Sequence, residues 1–296
     1  MAGKRRGFED TRGTLFFHYV NAVKEVQPEF FIFENVKGMI SHDKGETIKT
    51  VLSSFNEIGY DIDFDVFNSK YYGVPQNRER IYIVGKRKDL GINESRESVK
   101  GKKKLDQLKN WAIENINYVK LLPENNNENV EKRLVDVLED KVDEKYYLSE
   151  EKTKKLTLNL DLEGLSPALN CMRGGGLEPK IAVREATKQG YAIAEQGDSV
   201  NVSYPTSTTR RGRVGKQVAQ TLQAGEVNQG VVTNDVRIRK LTPLECWRLQ
   251  SFTDEQFYKA KDSGVSNSQL YKQAGNTVTV NVVDAITKEL FKHGLK

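Results

Sequence analysis

The chain has 296 residues, a formal net charge of +5, and 37% apolar and 29% charged residues. That balance suits one large or two smaller globular α/β domains and excludes a disordered chain. Two cysteines and three histidines exclude a disulfide framework and a thiolate zinc site, so a reduced, cytoplasmic setting is expected, and the mild positive charge leans weakly toward a polyanionic partner.

The opening MAGKRRGFEDTRG is basic but lacks the apolar core of a secretion signal. No apolar run reaches the roughly 18 residues of a membrane-spanning helix, so no membrane partner is expected. Residues 1–88 alternate helix and strand. Leu15, Phe16, Tyr19, Val20 and Val23 recur at helical spacing, and Pro28 ends the helix they predict. FFIF at residues 30–33 is a short apolar run between Pro28 and a polar turn after Val36, which reads as a buried strand of a parallel sheet. Ile48, Val51, Leu52 and Phe55 predict a second amphipathic helix that stops near Gly59. Ile62, Phe64 and Val66, then Ile81, Ile83 and Val84, predict two further strands. This order is the second half of a doubly wound α/β unit.

From about Lys86 to Asn129 the composition shifts, and GKKK, LDQLKNWAIENI and ENNNEN suggest an insertion with a surface loop. Residues 145–235 are rich in Gly, Thr, Ser and Asn with short apolar runs, which predicts a loop-rich, mostly β domain. Residues 241–260 read as helix, with Thr242 as cap and Pro243 in the first turn. A last helix is expected from Val278 to Leu290.

Four segments in order carry a resemblance: GKRRGFEDTRG (3–13), FFIFENVKG (30–38), YYGVPQNRERIYIVG (71–85), and RKLTPLECWRLQSF (239–252) followed by QAGNTVTV (273–280). Over nearly its whole length the chain resembles the DNA (cytosine-5)-methyltransferases of bacterial restriction-modification type. The resemblance implies a partial doubly wound, Rossmann-like sheet for S-adenosylmethionine, plus a smaller target-recognition domain. Residues 1–90 would be the C-terminal half of the catalytic domain, 91–144 an insertion or linker, 145–235 the recognition domain, and 236–296 the return to the catalytic domain. Double-stranded DNA would be the partner.

The family's chemistry adds a cysteine thiolate to cytosine C6, which makes C5 nucleophilic toward the methyl group of S-adenosylmethionine. The base must first leave the duplex stack. By resemblance Glu34, in Glu34-Asn35-Val36, is the acid that protonates N3; a plain turn cap is the competing reading. Arg80 would hold the flipped base at O2 and Arg78 would support the pocket and a nearby phosphate, a task suited to a planar fork. A surface ion-pair strip is the alternative for both. Lys4, Arg5, Arg6 and Arg12 lie in the segment resembling the loop that closes over DNA, and they alternatively form a frayed basic terminus. Asn276, Thr277 and Val278 match the last motif, which helps bind S-adenosylmethionine, and also suit a helix cap. Arg210, Arg211, Arg213 and Lys216 sit among hydroxyl residues and glycines, a composition that suits phosphate contact and base reading as well as a solvated charge run.

The family's nucleophile lies in a Pro-Cys pair just upstream of the segment beginning here with Met1-Ala2-Gly3-Lys4, and no Pro-Cys occurs in the chain. Cys171 and Cys246 lie in other contexts and read as packed thiols. The glycine-rich cofactor loop is absent too, so the S-adenosylmethionine site is expected to be incomplete and residues 30–33 to form an exposed apolar edge. Three expectations follow. The chain is part of a methyltransferase, inactive alone and complemented by a separate chain carrying the N-terminal catalytic half; or it is a DNA-binding remnant; or it acts on RNA cytosine, which the Arg-rich recognition segment disfavours.

Overall fold

In a computed structural model, residues 11–91, 93–125, 132–158, 180–224 and 227–294 are described, with side chains from Leu15 onward. The elements in chain order begin α1 (Thr11–Val26), β1 (Phe30–Val36), α2 (Glu46–Glu57), β2 (Tyr60–Asn68), β3 (Gln76–Asn77), β4 (Glu79–Arg87), α3 (Lys104–Asn115) and α4 (Glu150–Leu156). Seven short strands follow: β5 (Ile181–Arg184), β6 (Tyr191–Ala194), β7 (Ser199–Asn201), β8 (Val214–Gly215), β9 (Ala219–Gln220), β10 (Gln229–Val232) and β11 (Ile238–Lys240). The helices α5 (Pro243–Arg248), α6 (Asp254–Asp262), α7 (Asn267–Asn276) and α8 (Val280–Lys292) complete the chain. It divides into two compact units, one within residues 1–67, 79–126 and 283–296, the other within 68–78 and 127–282.

The first unit is built on a three-stranded sheet of order β1-β4-β2. Here β1 pairs antiparallel with β4, from Phe30↔Lys86 to Val36↔Arg80. This corrects the parallel pairing expected for FFIF: a buried apolar run reports burial on both faces, and carries no information on the neighbour's direction. Among the described residues β1 is an edge strand. On α2 the predicted stripe of Ile48, Val51, Leu52 and Phe55 is fully buried, as one apolar face at 3.6-residue period requires. On α1, Phe16, Val20 and Val23 join it, while Leu15 is 67% exposed. Phe31 packs against Phe55 with ring centroids 4.4 Å apart and against Tyr60 at 5.1 Å. Gly85 lies opposite Phe31 in the ladder, and a Cβ there would fall 2.1 Å from the Phe31 ring. Gly85→Ala is therefore expected to displace Phe31 and cost about 1–3 kcal/mol, read as a lower melting temperature; an unchanged melt contradicts this packing.

The stretch expected as an insertion is part of this core. Ile62 N–H donates to the Asn117 carbonyl at 2.9 Å, and Val119 N–H to the Ile62 carbonyl at 3.0 Å. Leu108 and Ala112 of α3 and Tyr118 are buried with α2 and β2. Asp63 is fully buried and accepts from Arg96 and from the Leu121 and Leu122 amides, both at 2.8 Å. A buried carboxylate needs such partners.

The second unit has an antiparallel sheet of order β11-β10-β7-β8, a β5-β6 hairpin, and a short parallel pair of β3 with β9. The helix expected at 241–260 is two helices, α5 and α6, interrupted at Leu249–Thr253. Thr242 caps α5 with Pro243 in its first turn, and Thr253 opens α6 with its own capping box, which restarts the helix. Residues 236–282, expected to return to the catalytic domain, therefore group with the second unit, and the chain rejoins the first unit within α8. Among the described residues no helix is long and apolar enough to cross a membrane.

Candidate functional site

Glu34 is the fifth residue of β1, near its carboxyl end, the edge at which open α/β sheets bind ligands. The register sets Val36 opposite Arg80, and alternation puts Glu34 on the same face as Val36, so Arg80 reaches diagonally to Glu34. Arg80 Nε lies 3.0 Å from Glu34 Oε1, with 16% and 25% of the two side chains exposed. Arg80 Nη1 also donates to the Glu79 carbonyl at 2.8 Å. Glu79 itself pairs with Lys37 at 2.7 Å, an exposed contact. Asn35 Oδ1 accepts from the Val36 amide at 2.8 Å, which fixes the strand exit. The structure thus brings Glu34 and Arg80 together, while Glu79 turns to Lys37.

Arg78 belongs to the second unit and is 4% exposed. Its Nη2 donates to the Thr277 carbonyl at 2.7 Å. Its backbone is held as well, with Asn68 Oδ1 accepting from the Arg78 amide at 3.2 Å and the Arg78 carbonyl accepting from the Ser69 amide at 3.1 Å. Arg78 is thus buried away from the surface where the expected phosphate contact would be made, with its Nη2 committed to the 277 loop.

That loop contains the three candidate cofactor residues. Gly275 is buried in α7, and a Cβ there would come within 2.5 Å of the Gln223 and Ala224 backbone. Thr277 N–H donates to the Gln273 carbonyl at 3.0 Å and its hydroxyl to the Val278 carbonyl at 3.3 Å. Asn276 is exposed at the end of α7 and Val278 is half-buried. An exposed amide beside an apolar side chain fits one wall of a cofactor site.

Sequence reasoning left out a buried polar chain that joins these segments. Gln76, fully buried, donates to the Leu249 carbonyl at 2.8 Å and accepts from the Leu222 amide at 3.3 Å. Thr279 hydrogen-bonds Ser69 at 2.7 Å and donates to Gln250 Oε1 at 2.9 Å. Gln76 and Thr279 lie inside quoted motifs, but a single sequence gives no sign that their partners are so distant.

Among the recognition residues the structure makes a clear correction. Arg213, expected to meet DNA, is fully buried, and its guanidinium donates to the carbonyls of Asn201 at 3.0 Å, Ser203 at 2.9 Å and Tyr204 at 2.7 Å. Burial, and then the charge of Arg210, push its pKa down. The reason is local: a chain reversal buries three carbonyls that need donors. Lys216 is 60% exposed and pairs with Asp198 at 2.7 Å. Arg210 is half-buried, donating to Asn201 Oδ1 at 2.8 Å, and Arg211 is exposed. Lys4, Arg5 and Arg6 lie outside the described residues, as does the side chain of Arg12; so do Cys171 and residues 159–179. Cys246 is 2% exposed, and burial raises its thiol pKa well above the usual value. A buried thiol of this kind is inert as a nucleophile.

The comparisons with known proteins place the chain in a family. A family model, the C-5 cytosine-specific DNA methylase, matches residues 1–292. The orphan methyltransferase M.SPRI of Bacillus phage SPR is 41% identical, over 98% of this chain and 79% of the relative. The type II methyltransferase M.HpaII of Haemophilus parainfluenzae is 34% identical, over 99% of this chain and 68% of its own length. Among solved structures, Entamoeba histolytica methyltransferase EhMeth aligns with a TM-score of 0.52 at 14% identity, covering 97% of this chain and 71% of that one. The S. pombe Dnmt2 methyltransferase aligns with a TM-score of 0.50 at 16% identity, covering 94% and 71%; these two speak for the fold alone. On the extent of the family match and the identity to its phage and bacterial relatives, this chain belongs to the C-5 cytosine-specific DNA methylases.

Proposed function

We propose that these residues form the target-base pocket and the recognition surface of an enzyme that methylates C5 of a flipped cytosine within a specific double-stranded DNA sequence. The observation that carries the reading is the 3.0 Å pairing of Glu34 with Arg80 at the carboxyl end of β1. With no base bound the two neutralise each other; as a base enters, Arg80 turns to O2 and Glu34 takes up a proton from water. Cytosine N3 and O2 are adjacent atoms, so one base can take both partners. Glu34 gives a proton to N3 as a nucleophile adds to C6, and recovers it when the adduct eliminates; Arg80 holds O2 throughout. Arg78 acts on the second unit's own loop by holding the Thr277 carbonyl. S-adenosylmethionine, which the family uses, supplies the methyl group, and Asn276 and Val278 would hold one side of it, the rest of that site being formed by residues other than these. The setting is the cytoplasm, where DNA is the polyanion.

Among the described residues no cysteine is placed to act as the nucleophile. No Pro-Cys occurs among them, and Cys246 is buried. We therefore place the missing cysteine on a segment or a separate chain that completes the catalytic half. The purified 296-residue chain is expected to transfer no labelled methyl group from S-adenosylmethionine to duplex DNA, yet to bind that DNA with a salt-sensitive affinity. Turnover by this chain alone overturns the split, and absence of DNA binding overturns the recognition role.

A further inference from the structure

The basic segment of the second unit is a framed loop with one unsatisfied reading group. Glu185 clasps its end: Oε2 accepts from the Gly212 amide at 3.2 Å, and Oε1 accepts from the amides of Arg213 at 2.5 Å and Val214 at 3.2 Å. The Ala186 amide donates to the Arg210 carbonyl, and the Asn201 amide to the Arg213 carbonyl, both at 2.8 Å. From inside, buried Arg213 ties the carbonyls of Asn201, Ser203 and Tyr204. Tyr204 is held at a φ of +49°, a left-handed conformation that costs a non-glycine residue about 1 kcal/mol or more and persists only where surroundings enforce it. Its carbonyl takes bonds from both Arg213 and the Ser207 amide, and its ring lies 5.4 Å from the Arg210 guanidinium.

What this frame presents is specific. Tyr204 is 55% exposed, and Thr206, Thr208, Thr209 and Arg211 are exposed around the same turn. Among the described residues Arg211 has no hydrogen bond or ion pair. Every other described arginine of this unit is hydrogen-bonded to a carbonyl or carboxylate, except Arg133, which forms a looser ion pair with Asp136 at 3.9 Å. Phosphate contacts tolerate a loose side chain on a mobile segment. Reading a base edge needs a fork whose backbone is fixed in advance. Lys216, the other exposed cation of the run, is already engaged by Asp198.

We propose that Arg211 reads a guanine in the major groove through a bidentate contact to O6 and N7, and that Glu185 and Arg213 are positioning residues which hold its loop. The assignment rests on the DNA-recognition reading above. It divides the basic run into one reader and a frame.

The test is selection from a random-sequence duplex pool by the full 296-residue chain, followed by sequencing of the bound fraction. Wild type is expected to enrich a motif containing at least one invariant G·C pair. Arg211→Ala and Arg211→Lys are expected to lose preference at that single pair, keep the rest of the motif, and bind the wild-type consensus roughly 5- to 150-fold more weakly. Because Lys keeps the charge without the fork, its loss of preference at unchanged salt slope identifies base reading. Glu185→Gln is expected to blur the same pair with an unchanged melting temperature, a readout that a purely structural role would not move. Unaltered motifs for both Arg211 variants overturn the assignment, as does wild-type binding with no enriched motif. Failure of the wild type to bind duplex DNA removes the recognition reading itself.

Discussion

Arg239→Ala is expected to lower the melting temperature of this chain by roughly 6–20 °C, the equivalent of about 3–5 kcal/mol in a unit of this size. Arg239 and Glu245 are 4% and 0% exposed and meet in a two-pronged pair, Nη1 to Oε2 at 2.9 Å and Nη2 to Oε1 at 2.7 Å. Removing the arginine leaves a carboxylate buried without its counter-charge, which costs far more than the pair itself contributes. Replacing both partners by apolar residues often rescues such sites, and here it is expected not to. Glu245 also accepts from the Thr242 amide at 2.7 Å and the Glu139 amide at 2.9 Å. An Arg239→Met, Glu245→Leu double variant strands both amides, each worth about 1–3 kcal/mol when buried unpaired. Thermal melts of the single and double variants check this. A wild-type melt for Arg239→Ala would mean that the pair is hydrated, and a wild-type melt for the double would mean that the two amides find other partners.

The same residues show which parts of the molecule were legible in the sequence. The α2 stripe and the Thr242-Pro243 cap were, because periodicity and capping are local. The pairing of Glu34 with Arg80 was half legible: both stand in recognisable motifs, but their contact depends on β4 lying antiparallel beside β1. The fate of Arg213 was not legible at all. An arginine between Gly212 and Val214 in a hydroxyl-rich loop suits DNA contact or a solvated charge run, and only the carbonyls of Asn201, Ser203 and Tyr204 explain its burial. Likewise ENNNEN and GKKK suggested an appended insertion, because surface loops dominate local composition. The bonds of Asp63 to Leu121 and Leu122 that knit the stretch into the core link residues far apart in sequence.

Glu34→Gln is expected to slow single-turnover methyl transfer by 10²- to 10⁴-fold, the usual range for loss of a positioned acid, in whichever assembly methylates DNA. Gln keeps the shape of the side chain and a hydrogen-bond donor for N3, so binding of the flipped base should change little. What it loses is a proton to give as negative charge develops on the ring. Because Arg80 retains 16% side-chain exposure and a bond to the Glu79 carbonyl, it can take up water when its carboxylate partner becomes neutral, and the variant should fold normally. Arg80→Lys provides the complementary case. Charge is preserved and the fork is lost, so its main effect should be weaker retention of the flipped base rather than a slower proton step. The decisive measurement is the single-turnover rate at saturating DNA beside the affinity for the target duplex: Glu34→Gln should be slow at unchanged affinity, and Arg80→Lys should lose affinity. Equal rates for Glu34→Gln and wild type would remove Glu34 from the proton path and leave it as the carboxylate that orients Arg80.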